Sequence, residues 1–454
     1  MFCTTLKKLF SLNEGIHQRT SKAIKNIVLS FFIKGGSVLI AFIMVPLLIN
    51  KLSPDSYGIW LTLTSFLSMF NFFNIGLGSG LKNLLVVSIA NGNEQESKRL
   101  ISTAYIALLI ICLLVFVCFC GINTFIKWDI VLNAPNILRD ELGTLALFVF
   151  GALLLQLVLS LIVNILQAFQ VPAYGDLIGV LGQFFSFLGV LLVPFFFIRT
   201  NLLVYGAVIS LLPSLAYFFF SIILFRGKYS RISPSFVTFD RRHLKNLFSM
   251  GGKFFLIQIA ALLLYQSNNL IIAHVSGNTD VAVYNIAYKY AGIFQMIFSL
   301  IIAPIWVAAG DAYIHDDISW IRGIMKKLNI IWIFFILGSL LQLMLSQFAY
   351  DLWIGKSLNV SFYITALCLV YFILNMKASI YCNIINGTGK VKLQFIMYFI
   401  QVVIHIPFAI LLGKIWGIEG VLASMCFIMF LNTLWMSKQC NLLLQKKATG
   451  LWNA

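Results

Sequence analysis

The sequence predicts an all-α polytopic membrane protein of about twelve transmembrane helices. Of its 454 residues, 60% are hydrophobic and 10% are charged, whereas soluble domains run at about 45–50% and 25%. The mean hydropathy is +0.95. The apolar residues fall in long runs, and about 20 of them cross the ~30 Å of bilayer hydrocarbon as a helix. These runs lack the alternation of a barrel strand, so helices are expected rather than a β-barrel.

The expected helices lie at 27–50, 58–82, 100–123, 143–166, 177–198, 202–224, 248–275, 281–308, 324–349, 361–385, 393–413 and 417–437. They give a basic cytoplasmic N-tail (1–26), an N-terminal six-helix lobe (27–224), a basic cytoplasmic linker (225–247), a C-terminal six-helix lobe (248–437) and a cytoplasmic C-tail (438–454). The N-tail is polar and basic and the first apolar run is full length, so no cleavable signal pattern is expected. With both termini cytoplasmic, the inside segments hold 22 of the 32 Lys and Arg residues and the outside loops hold 6. That asymmetry satisfies the positive-inside rule and accounts for the net charge of +17 without nucleic acid. The linker carries Arg226, Lys228, Arg231, Arg241, Arg242 and Lys245. It reads as an ordinary inter-lobe connection, with a short basic surface helix from Phe239 as the alternative. The longest outside loop, Asn123 to Leu142, reads as solvated. The eight cysteines form no metal-type cluster and read as small apolar residues rather than a disulfide framework.

Several spans carry a polar stripe at helical spacing, which in lipid marks a face turned to protein or water. The first has Ser30, Lys34, Ser37 and Ala41; the second has Asn71, Asn74, Gly78 and Lys82. The fourth has Gln156, Ser160, Asn164 and Gln167, and the seventh has Gln258, Tyr265 and Asn269. The eighth has Asn285, Lys289, Gly292 and Ser299, and the eleventh Gln394, Tyr398, Gln401 and His405. Interhelical hydrogen bonding is the competing explanation for the neutral residues, and His405 reads as a packing residue. Pro46, Pro194, Pro213, Pro304 and Pro407 fall inside spans, where they kink helices.

The four lysines inside spans are the sharpest signal. Lys34, Lys253, Lys289 and Lys377 lie at membrane depth with no Asp or Glu expected beside them. An ionisable residue there is costly and usually faces an interior or a water-filled cavity. Unpaired cations favour an anionic ligand. Lys34 and Lys253 lie near the inner interface, where snorkelling competes. Lys289 lies about 12 Å from the outer end of its helix, which is far for a snorkelling chain.

The halves show faint internal similarity: each opens with a lysine (Lys34, Lys253) and then a tyrosine near the start of its second helix (Tyr57, Tyr284). The order of short motifs resembles one family. P-L-L-I-N-K-L-S-P-D-S-Y-G-I-W runs from Pro46 to Trp60, and N-I-G-L-G-S-G-L-K-N from Asn74 to Asn83. Then come G-G-K-F-F-L-I-Q-I-A from Gly251, Val283-Tyr284-Asn285-Ile286, Leu352-Trp353-Ile354-Gly355 and Asn386-Gly387-Thr388-Gly389-Lys390. The chain resembles the polysaccharide-biosynthesis flippases, the O-antigen and repeat-unit translocases of the multidrug/oligosaccharidyl-lipid/polysaccharide exporter superfamily. The resemblance implies two six-helix lobes around a central cationic cavity that opens to either side in turn. It implies a bacterial inner-membrane protein that moves undecaprenyl-diphosphate-linked oligosaccharide to the periplasmic leaflet. A polysaccharide polymerase and a chain-length regulator are the implied partners. The first, second, seventh and eighth helices would line the cavity. Substrate-binding cations would be Lys34, Lys253, Lys289 and Lys377, with Asn71, Asn74, Lys82, Asn269 and Asn285 as further polar contacts. The family often has an acidic residue where this chain has Asn74, which argues against ion coupling through a carboxylate there.

Three other functions compete. A multidrug exporter of the same superfamily would favour intramembrane carboxylates, which are not expected here. A peptidoglycan-precursor lipid would suit the same cations. A membrane polymerase commonly carries a larger outside loop. No P-loop motif is present, and no cofactor is called for.

Overall fold

A computed structural model describes residues 17–69, 72–198, 200–244, 266–355 and 358–453. The helices, in chain order, are α1 (His17–Leu52), α2 (Pro54–Ser68), α3 (Phe72–Ala90), α4 (Glu94–Asn123), α5 (Trp128–Val131), α6 (Arg139–Leu159), α7 (Leu161–Ala168), α8 (Pro172–Phe196) and α9 (Leu202–Arg226). They continue with α10 (266–275), α11 (Asn278–Ile314), α12 (Ile318–Met344), α13 (Ser346–Ile354), α14 (Phe362–Thr388) and α15 (Lys392–Leu444). No strand occurs among the described residues, and nine helices there are long and apolar enough to span a membrane. The longest, α15, contains the eleventh and twelfth expected spans, joined at a break where Gly417 adopts φ 61, ψ −142. Only a residue without Cβ enters that region freely. The second expected span covers most of α2 and the first part of α3, with residues 70–71 outside the described residues.

Local chemistry sets the helix starts. Side-chain oxygens of Ser53, Asn93, Asn201, Asp317 and Ser361 accept from backbone N–H groups in the first turns of α2, α4, α9, α12 and α14. Pro54 and Pro172 occupy the first position of α2 and α8, where a missing N–H costs nothing. Gly389, at φ 74, ends α14 as a left-handed cap. Large apolar side chains such as Phe195, Phe334 and Leu341 stay exposed on the spans, as expected where lipid replaces water.

The contacts group into two compact units. The first comprises described residues within 1–44, 70–126 and 140–255. Here α8 packs on α9, with Gly182 against Pro213 and Ser186 Oγ donating to the Ile209 carbonyl at 3.2 Å. Ser214 Oγ donates to the Ala152 carbonyl of α6 at 2.9 Å. The linker docks on the end of α4: Ser235 N donates to Ser102 Oγ at 3.0 Å, and Asp240 N donates to Thr103 Oγ1 at 3.1 Å. His243 lies 3.5 Å from Glu96 and Arg231 3.4 Å from Glu94. Phe239 is extended (φ −63, ψ 128), and helix is described only from Arg242 to Leu244.

The second unit comprises residues within 45–69, 127–139 and 256–454. Its α2 meets the start of α11 backbone to backbone, which Gly58 alone permits at that point. Gly310 and Gly387 allow a similar approach of α11 and α14. Tyr290 Oη donates to the Gln342 carbonyl at 2.7 Å, and Gln342 Nε2 returns a bond to the Tyr290 carbonyl at 2.6 Å, pinning α11 to α12.

The expected outside loop is packed in part: Lys127, Arg139 and Asp140 stay exposed, as expected from its charges, but the segment around Trp128 to Leu132 is not solvated. Trp128 and Leu132 are buried, with Trp128 edge-on to Phe66 of α2. Asn133 Nδ2 donates to the Ala273 carbonyl at 2.7 Å, while Asn278 Nδ2 donates back to the Asn133 carbonyl at 2.7 Å. His274 Nε2 lies 3.1 Å from the Ile130 carbonyl. Asp129 is buried and lies 3.7 Å from Arg139. The loop's apolar content and two amide clamps outweigh its charges, so 127–139 forms a strap over α10 and the start of α11.

Candidate substrate site

The structure assembles three of the expected site residues in the second unit. Asn285 and Lys289 stand one turn apart on the same face of α11, about 6 Å along the axis. Asn285 Nδ2 donates to Asn269 Oδ1 on α10 at 2.8 Å. Asn269 Nδ2 donates in turn to Ser65 Oγ on α2 at 2.6 Å. Lys289 is half-buried, and no described residue forms a hydrogen bond or ion pair with its ammonium. The result is a three-helix polar relay ending beside an uncommitted cation. A half-buried ammonium with spare donors is a natural seat for phosphate or another oxyanion.

The remaining expected residues behave differently. Lys34 is exposed, and its Nζ lies 3.9 Å from Asp176 Oδ2 on α8. This corrects the expectation that no carboxylate accompanies it: Asp176 lies near the start of α8, just beyond its first turn. Ser37, one turn on, donates to Gln183 Oε1 of α8 at 2.5 Å. Lys377 is not free either. Its ammonium donates to Asn329 Oδ1 at 2.7 Å and lies 4.4 Å from the Trp332 ring and 5.7 Å from the Tyr381 ring. Those contacts bind α14 to α12, making Lys377 an interhelical tie in this structure. Lys82, on α3, is half-buried. Asn71 and Lys253 fall outside the described residues, and of Asn74 only the helical backbone is described.

The polar stripe of the eleventh expected span serves packing. Gln401 Nε2 donates to Asn432 Oδ1 at 2.8 Å, and buried His405 lies 2.9 Å from Asn268 Oδ1. Sequence reading missed Ser65. It lies on α2, upstream of the polar stripe that the sequence shows from Asn71 to Lys82. Asn329 and Trp332 carried no signal, since neither lies on a polar stripe.

The fold is that of a multi-pass membrane transporter. A solved inward-facing structure of a multidrug resistance MATE family transporter of the MOP superfamily superposes with a TM-score of 0.71 at 17% identity, covering 93% of this chain and 100% of that one. An outward-facing MATE structure gives 0.65 at 16% identity, covering 93% and 97%. Residues 23–307 match the model of the polysaccharide biosynthesis protein family, so the chain belongs to that family. A Salmonella typhi protein named for O-antigen transport is 22% identical, with 87% of this chain and 90% of that protein covered. A Yersinia pseudotuberculosis protein named for O-antigen export is 21% identical, covering 88% and 91%. Family, fold and relatives together place the chain among membrane transporters of polysaccharide biosynthesis rather than among enzymes.

Proposed function

We propose that this chain is a flippase that moves undecaprenyl-diphosphate-linked oligosaccharide repeat units, of O-antigen or a similar surface polysaccharide, from the cytoplasmic to the periplasmic leaflet. The observation that carries the reading is Lys289, a half-buried ammonium at membrane depth with no described partner, one turn from an amide relay. The diphosphate is the part of a lipid-linked sugar most penalised in hydrocarbon, and a compact cation offsets that penalty. The relatives named for O-antigen transport and export support the same cargo class. The relay residues and Lys289 include no carboxylate, which disfavours cationic drugs as cargo.

In this reading two six-helix lobes (27–224 and 248–437) alternate access to the site, with both termini cytoplasmic. The site must hold cargo about equally well in both end states, because a ligand that strongly prefers one state traps it. Lys34, Lys82 and Lys253 then serve the approach of the diphosphate, and a polymerase and chain-length regulator act on the delivered unit.

The test is complementation. Bacteria that lack their own repeat-unit flippase but make the matching sugar unit are given this chain, and surface polysaccharide is read on a gel. Restored polymer supports the reading. No polymer, with the protein present in the membrane and a matched unit, rejects the cargo.

A further inference from the structure

We infer that Asn285 is a specificity-determining residue that presents only a hydrogen-bond acceptor, and so selects a donor on the sugar next to the diphosphate. The inference rests on the flippase reading and adds the polarity of one contact. A carbonyl oxygen can only accept, and the Val281 carbonyl lies 2.8 Å from one side-chain atom of Asn285. That atom must be the amide nitrogen, which fixes the orientation of the side chain. The same nitrogen donates to Asn269 at 2.8 Å, so both of its N–H groups are spent. Asn269 must then turn its oxygen toward Asn285 and its nitrogen toward Ser65. The relay is therefore directional, set by one backbone carbonyl and passed across three helices.

Only Asn285 Oδ1 remains, and no described residue donates to it. Asn285 is half-buried, so the atom is not sealed in the core. One turn away, Lys289 offers only donors. The pair thus presents an acceptor beside a cation. Its complement is an anion flanked by an O–H or N–H, the arrangement of a sugar phosphate whose hydroxyl or acetamido group points back along the linkage. A bare polyprenyl diphosphate satisfies the lysine alone.

Purified protein in nanodiscs is titrated with three probes: polyprenyl diphosphate, polyprenyl diphosphate-glucose and polyprenyl diphosphate-N-acetylglucosamine. The readout is the affinity ratio of each glycosylated lipid to the bare one, which cancels partial loss of folded protein. Wild type is expected to favour a glycosylated probe by about three- to tenfold, the worth of one good hydrogen bond. Asn285→Leu and the milder Asn285→Ala should bring the ratio close to one. A preference confined to the N-acetyl probe assigns the donor as N–H, and one shared with glucose assigns a hydroxyl. Unchanged ratios in both variants, or equal weakening of all three probes, overturn the inference alone. A wild type that binds none of the three overturns the flippase reading as well.

Discussion

Gly58→Ala should destabilise the second unit far more than one added methyl suggests. A Cβ at position 58 would lie 1.7 Å from the Asn278 carbonyl oxygen and 2.5 Å from its carbon. Ordinary non-bonded contact is about 3.5 Å, so α2 and the start of α11 must separate by about 1.5 Å or more. Both atoms met are backbone, so no rotamer change relieves the clash. Overpacking of this kind costs about 1–3 kcal/mol, occasionally more. The movement also pulls Asn278 from the strap, whose amide bond to the Asn133 carbonyl is 2.7 Å long; a lost hydrogen bond adds about 1 kcal/mol. The thermal midpoint, followed by fluorescence-detected size-exclusion chromatography, should fall by about 5 °C or more. Gly35→Ala is the control, because nothing lies within 4 Å of its Cβ position, and its midpoint should stay within about 2 °C of wild type. Equal midpoints for Gly58→Ala and wild type would refute the backbone contact between α2 and α11.

Three further outcomes follow from the same geometry. Lys377→Met, which removes the ammonium from Asn329 and from two ring faces, should cost about 1–3 kcal/mol and lower the thermal midpoint. Asn133→Ala breaks the clamp to the Ala273 carbonyl, so residues 128–133 should exchange amide hydrogen faster while α8 and α9 stay protected. The Asp240 carboxyl is held below the usual aspartate range, first by the Arg242 backbone N–H. A depressed pKa contributes stability that is present above the unfolded value and lost as pH falls through the folded one. Exchange over 235–240 should therefore stay slow at neutral pH and rise only below the ordinary aspartate range, and Asp240→Asn should remove that step.

Much of the fold was legible because the membrane makes periodicity decisive: a run long enough to cross must satisfy its own backbone, so apolar length reads as helix. The break inside α15 was legible too: the expected spans end at 413 and restart at 417, and the helix turns at Trp416 and Gly417. In the site, Asn269, Asn285 and Lys289 were legible because polar groups in an apolar run are conspicuous. Their partner Ser65 was not, since a lone serine in a helix ordinarily bonds its own backbone. Lys377 shows the limit of reading charge alone: its tie to Asn329 and Trp332 depends on how α12 packs on α14, a tertiary fact. The packed strap was missed for a related reason, because Trp128 and Leu132 were outweighed on the page by five neighbouring charges.

The most direct test of the central claim is the charge at position 289. Wild type, Lys289→Ala and Lys289→Arg are expressed at matched membrane levels in cells that make the matching lipid-linked unit but lack their own flippase, and surface polymer is quantified. The account predicts full polymer from wild type, at least a tenfold loss for Lys289→Ala on the scale of one charge-assisted contact, and partial recovery with Lys289→Arg. Polymer at the wild-type level from Lys289→Ala would contradict it.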